Sequence, residues 1–435
     1  MSDNIIEKSE EKITTDKNTL KKSIMWNTFG SVYYAFCQWV MTVVIIYLAK
    51  DYWPVGLFGL AMTVTNSFSS IASFGMRSFQ ISDIKKVYSN ENYIMSRRIT
   101  CFVAYIACVV YSLIIGSSVE EVVCILIFMI IRVVDSTEDV FQGVLQVNWR
   151  FDVIGKSFIA RGTLQLIAFV VLLVLTDKLY ITFAVMALFD WLVLQFYDKR
   201  QTKKIANLSK IQYVSKIIDL LKACSKLVVY YFMVASFATV VRVSIKSICG
   251  VDKLGIYSTI ASPTVIIQLT ASVIYSPFLP DISKSYFDGN KKRFMGYIKR
   301  IFLIIVASFI VLNAGGYFLG HWALELLYKV DVASHDELLL PLIWCTFFAA
   351  CVWFFAGMLI AIRKSTQLII GVVFAFVLNY VINKPLIHRF GQNGGSYSQV
   401  ISEVLLMFIY VVMLLYNVHK YKVEESGETE LGKDV

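Results

Sequence analysis

Two strong cations, Arg242 and Lys246, stand in the apolar stretch VVRVSIKSICG (240–250). Four residues apart, they share one face of a helix. Their chemistry is anion binding, and a charge set among apolar residues faces either a partner or a watery cavity. Arg77 lies at the mouth of another apolar run, so Arg77, Lys246 and Arg242 together outline a cationic route for an anionic substrate. A second group is acidic. In IIRVVDSTEDVFQGVLQVNWRFD (130–152), Arg132, Asp135 and Asp139 fall on one helical face at i, i+3 and i+7, with Glu138 round the side. Arg132 and Asp135 can neutralise each other within the helix. Glu138 and Asp139, as cavity-lining carboxylates, could take protons or a cation. Asp190 and Glu403 are further acids inside apolar segments, where an interhelical hydrogen bond is the alternative to a coupling or gating role.

The elements that position these residues are membrane helices. The composition is 57% hydrophobic and only 17% charged, against about 25% charged in soluble chains. Spans of about 20 apolar residues are expected near 26–49, 55–76, 99–117, 121–142, 156–176, 180–198, 226–249, 254–279, 300–320, 338–361, 366–386 and 397–419. The fold class is thus an all-α polytopic membrane protein of twelve helices. Most of the 41 Lys and Arg fall in the tails and in alternate loops. The positive-inside rule then puts both termini in the cytoplasm. Only Arg132, Arg242 and Lys246 are read as cations within spans. The net charge of +10 is therefore a topology signal rather than a nucleic-acid signature. Eight scattered cysteines without a CxxC pair argue against a disulfide framework or a zinc site. Short connections leave no room for a catalytic domain, so an enzyme is not expected.

The chain divides into a tail (1–25), a first lobe (26–198), a basic linker (199–225), a second lobe (226–419) and a tail (420–435). The linker is patterned as an amphipathic helix on the inner leaflet, suited to anionic lipids, or simply as a basic loop between halves. The halves repeat. VGLFGLAMTVTNSF (55–68) matches LGIYSTIASPTVII (254–267) in its opening, and DIKKVY (83–88) recurs as DISKSY (281–286), so Gly56 pairs with Gly255 and Asp83 with Asp281. Both copies share one membrane orientation, which makes the repeat parallel, with substrate expected between the halves. Pro263, Pro277 and Pro280 predict a kinked eighth span.

The stretches GLFGLAMTVTNSFSSIASFGMRSFQISDIKK (56–86) and EDVFQGVLQVNWRFDVIGKS (138–157) resemble the Wzx-type flippases of bacterial O-antigen and capsule synthesis. These belong to the superfamily that also holds the multidrug and toxic compound extrusion (MATE) transporters and the lipid II flippases. The resemblance carries Gly75, Arg77, Phe79, Asp83, Glu138, Asp139, Gly143, Gln146, Arg150 and Asp152 as motif positions. It implies two six-helix lobes around a cationic cavity in the bacterial cytoplasmic membrane. The implied substrate is undecaprenyl pyrophosphate carrying one oligosaccharide repeat unit. No cofactor is implied; a proton or sodium gradient or the membrane potential would drive the step. A polymerase and a chain-length regulator of the same pathway are implied partners. Export of drugs or of another lipid-linked glycan is the alternative.

Overall fold

The computed structural model describes residues 3–49, 51–82, 87–116, 118–206, 214–275, 278–328, 334–362 and 364–420, and every regular element among them is helical. Helix α1 spans Asp3–Leu48, α2 Trp53–Ser73, α3 Met76–Ser82, α4 Asn90–Ile115, α5 Val119–Val147 and α6 Phe151–Thr176. Helix α7, Leu179–Val193, passes through a π-helical turn, Leu194–Asp198, into α8, Lys199–Ile205. The second half contributes α9 Val214–Cys249, α10 Val251–Tyr275, α11 Leu279–Phe287, α12 Lys291–Leu327, α13 Leu339–Ala361, α14 Ser365–Phe390 and α15 Gln392–Lys420. Ten of these helices are long and apolar enough to cross a membrane. The chain is a multi-pass membrane protein. The expected spans 121–142 and 254–279 coincide with α5 and α10, which are not among the ten. Along α5 the reason is its charge, and those charges form the site described below.

Several boundaries differ from expectation. The polar tail is helical from Asp3, because no glycine or proline interrupts the chain before Gly30. The linker is not one element: α8 takes its first residues, 207–213 lie outside the described residues, and Val214 already begins α9. Helix α10 runs on through Pro263. Pro280 sits in the first turn of α11, where its missing N–H costs no helical bond. Pro277 and Asp83 lie outside the described residues. Between α2 and α3, Phe74 and Gly75 both take positive φ, 51° and 63°. That left-handed pair ends α2 and turns the chain, a conformation glycine adopts without a Cβ penalty.

Packing follows the repeat. Helices α2 and α13 are the most enclosed of the ten, whereas α12 and α1 lie at the periphery. In the first half α1 lies along α6, and in the second α9 lies along α14. Small residues permit the first contact: a Cβ on Gly30 would stand 2.2 Å from the Gly155 carbonyl oxygen. Such close helix approach is what association in lipid relies on. The repeat glycines meet each other across the seam between halves. A Cβ on Gly56 would lie 3.0 Å from the Gly255 nitrogen, and one on Gly255 would lie 3.1 Å from the Gly56 nitrogen. Equivalent positions touch reciprocally when they sit on a two-fold axis. The repeat read from the sequence thus brings its equivalent glycines into mutual contact at the seam. Thr42 with Ser262 (2.5 Å) and Ser67 with Thr239 (2.7 Å) also bridge this seam.

Candidate functional site

Helix α5 is the spine of a polar network inside the first half. Asp135, Glu138 and Gln142 recur at i, i+3 and i+7, and so do Asp139, Gln142 and Gln146, giving two adjacent stripes. On the first stripe, Arg161 of α6 inserts its guanidinium among three acids. It makes very short contacts with Asp135 and Glu138, and its Nε lies 3.2 Å from Asp190 Oδ1 on α7. Arg161, Glu138 and Asp190 are all at most 2% exposed. Gln165 donates to Asp190 Oδ2 (2.5 Å) and accepts from Gln38 of α1 (2.5 Å). Arg132 reaches Asp135 at 3.3 Å, and the Tyr34 ring lies under the Arg161 guanidinium. Asp190 and Asp135 are thus members of one compensated cluster spanning four helices.

The second stripe holds α3. Asp139 accepts from Arg77 on one oxygen (2.8 Å) and from Arg97 of α4 on the other (2.9 Å). Arg77 also donates to Gln142 Oε1 and to Gln146 Oε1, both at 2.9 Å. Arg97 donates to the Ala72 carbonyl at 2.8 Å, bracing the end of α2. Gln142 joins the stripes, since its amide nitrogen donates to Glu138 Oε1 at 2.6 Å. Gly143 makes room for Gln80, whose side-chain oxygen would otherwise stand 2.0 Å from a Cβ. Gln80 in turn donates to the Val140 carbonyl. Phe79 is partly buried on the cluster around Met76, Tyr93 and Phe141. At the start of α6, Arg150 grips both oxygens of Asp152 (2.9 and 3.1 Å), and the Asp152 backbone N–H donates to Ser23 Oγ of α1.

The two cations of α9 do not converge. Lys246 is 7% exposed, forms a very short ion pair with Glu121 in the first turn of α5, and donates to the Ile115 carbonyl at 3.0 Å. It neither snorkels outward nor lines an opening. Arg242 remains half-buried at the seam, and its Nη1 donates to Thr63 Oγ1 of α2 at 2.5 Å. Among the described residues its Nε has no partner, and no carboxylate lies within ion-pair distance of it. In the second half, Glu403 accepts from Gln399 at 2.9 Å, while its buried Oε2 has no partner among the described residues. Asp281 is exposed in the first turn of α11. Arg77, Lys246 and Arg242 therefore do not form one cationic route here. Two of the three are engaged by acids.

Sequence reasoning placed Arg97 and Arg161 among loop cations; they are 1% and 2% exposed. A signal was present for Arg161: Ser157, Arg161 and Gln165 recur every four residues, a polar stripe on an otherwise apolar helix. Asp135, Glu138 and Asp139 of α5, with one Arg beside them, also require a cation from a neighbour. Glu121 and Thr63 carried no comparable signal, because their roles depend on which helices adjoin α9.

No protein-family model matches the chain. The chain is 23% identical over 393 residues to the capsular polysaccharide biosynthesis protein CapF of Staphylococcus aureus, covering 89% of this chain and 98% of that protein. Among solved structures it is similar to the lipid II flippase MurJ in an inward closed conformation, with a TM-score of 0.69, 12% identity and coverage of 92% and 88%. It is equally similar to the MATE multidrug transporter DinF-BH, at TM-score 0.69, 14% identity and coverage of 93% and 96%. An inward-facing MATE transporter of the MOP superfamily aligns at TM-score 0.63 and 10% identity, over 90% of this chain and 94% of that one. The fold of this chain is the one these transporters share.

Proposed function

We propose that this protein is a flippase that carries an undecaprenyl-pyrophosphate-linked oligosaccharide repeat unit from the inner to the outer leaflet of a bacterial cytoplasmic membrane, without enzymatic chemistry. In this reading twelve helices cross the bilayer, α5 and α10 included, and both termini are cytoplasmic. The observation that carries it is Arg242, a half-buried cation between the halves whose charge no described carboxylate compensates. A lipid diphosphate or an acidic sugar supplies the missing anion. The likeness to a lipid II flippase and to a capsule biosynthesis protein supports the same substrate class. The lipid tail stays in the bilayer while the head crosses at the seam. Moving a negative head outward is favoured by an inside-negative potential by about 2.3 kcal/mol per charge per 100 mV. The membrane potential can thus serve as driving force beside a proton or sodium gradient. Anionic lipids at the basic stretch around α8, a polymerase and a chain-length regulator are the partners of this reading.

The test is deletion of the gene followed by mass spectrometry of the membrane lipids. Accumulation of one intact undecaprenyl-linked repeat unit, with surface polymer lost, is expected. Unchanged lipids with new sensitivity to organic cations would overturn the reading in favour of drug export.

A further inference from the structure

The π-helical turn at the end of α7 buries a carboxyl that the ion-pair network does not use. Asp198 is 0% exposed, and its Oδ1 has no partner among the described residues. Its Oδ2 lies 2.9 Å from Ser157 Oγ on α6. The same Ser157 Oγ lies 3.1 Å from Glu138 Oε1 on α5. A serine hydroxyl has one hydrogen and so donates only once. With both acids ionised, one of these two contacts would press lone pairs together between fully buried side chains. One of the acids therefore supplies the second hydrogen.

The surroundings say which one. Glu138 is held as an anion, because its Oε2 accepts from the Arg161 guanidinium and its Oε1 from the Gln142 amide. Among the described residues Asp198 accepts from no guanidinium or amide side chain. The charges that act on it are Glu138 from α5 and Arg161 from α6. Arg161 is already shared among Asp135, Glu138 and Asp190. From α8, Thr202 donates only to the Asp198 backbone carbonyl, and neighbouring Lys199 reaches Gln195 instead. Burying an unpaired carboxylate costs far more than burying a carboxylic acid that donates a hydrogen bond.

We propose that Asp198 is a proton-binding site, with its Oδ2–H donating to Ser157 Oγ and the Ser157 hydroxyl donating to Glu138 Oε1. Releasing that proton leaves two carboxylates facing one hydroxyl. Asp198 then competes with Glu138 for Ser157 and Arg161, or leaves the pocket by shifting the π turn. Single π turns inside helices are frequent at functional sites, and this one joins α7 to α8. Proton occupancy at Asp198 is thereby tied to how that end of α7 packs on α5 and α6. The site stands whether or not the substrate is a lipid-linked glycan; only its use in driving transport rests on the flippase reading.

The experiment is infrared spectroscopy of the purified full-length protein at neutral pH, comparing wild type with Asp198→Asn and Glu138→Gln. A protonated carboxyl has a C=O stretch that an ionised one lacks, and exchange into deuterium oxide shifts it. The wild-type minus Asp198→Asn difference is expected to show the loss of one such band per chain. The subtraction removes any contribution from Glu403. Equal band intensity in wild type and Asp198→Asn overturns the proposal, as does loss of the band in Glu138→Gln alone. Should Asp198→Asn fail to fold, Ser157→Ala serves instead. Removing the acceptor should raise the frequency of the Asp198 band, and an unshifted band overturns the assignment. None of these readouts measures transport, so this proposal and the flippase reading can fail separately.

Discussion

Replacing Gly56 by alanine should force the two halves apart at their seam. The added methyl would stand 2.2 Å from the Val251 carbonyl oxygen and 3.0 Å from the Gly255 nitrogen, both backbone atoms. Ordinary contacts between such atoms lie at about 3.5–4.0 Å, and no rotamer change relieves a backbone clash. Helices α2 and α10 must separate by about 1 Å. Overpacking of this kind costs about 1–3 kcal/mol. With each 1.4 kcal/mol worth roughly tenfold, the closed seam loses about 5- to 140-fold in population. Thr42 and Ser262, 2.5 Å apart across the same seam, provide the reporter. With the eight native cysteines replaced, Thr42→Cys with Ser262→Cys should oxidise readily to a disulfide, and Gly56→Ala should suppress it. Two controls fix the interpretation. At Gly59 the Ser258 hydroxyl, 2.5 Å away, can rotate but the Ser258 Cβ at 2.7 Å cannot, so Gly59→Ala strains the seam less than Gly56→Ala without being neutral, and at Gly296 nothing lies within 4 Å. Crosslinking should therefore fall in the order Gly296→Ala, Gly59→Ala, Gly56→Ala. If Gly56→Ala crosslinks as fast as Gly296→Ala, the seam is not the rigid contact described.

Three further outcomes follow from the charge networks. Arg161→Gln strands Asp135, Glu138 and Asp190 without their shared cation and should lower stability by about 3–5 kcal/mol, read as a fall in melting temperature in detergent. Lys246→Met takes the lysine cation away from the buried Glu121 carboxylate, again at about 3–5 kcal/mol; combining it with Glu121→Leu should restore most of the loss, and an additive double mutant would contradict the pairing. Arg242→Gln orphans no described acid and gives up little beyond its bond to Thr63, about 0.5–1.5 kcal/mol. Its melting temperature should barely move, while repeat-unit lipid should accumulate in cells as it does on deletion.

The sequence by itself determined the helical membrane class and the two-fold repeat, because both are written in local patterns. Runs of apolar residues mark helices for burial in lipid, and the Gly56 and Gly255 segments recur at matching positions. It also nominated the α5 acids, since charge in an apolar run is visible without a partner. Partner choice was not visible there. Arg97 and Arg161 each sit near the end of an apolar run, where a cation reads as interfacial. Only the approach of α4 and α6 to α5 shows that each is buried against acids. Lys246 and Arg242, equivalent on a helical wheel, meet opposite fates because one faces Glu121 and the other faces Thr63. Asp198, at the join between an apolar run and a basic one, looks like an ordinary boundary residue until the π turn rotates it toward Ser157 and Glu138. The energy of a buried charge depends on atoms within a few ångströms. In a helical bundle those atoms belong to helices distant in sequence, so tertiary structure alone decides which of the described cations meet an acid and which do not.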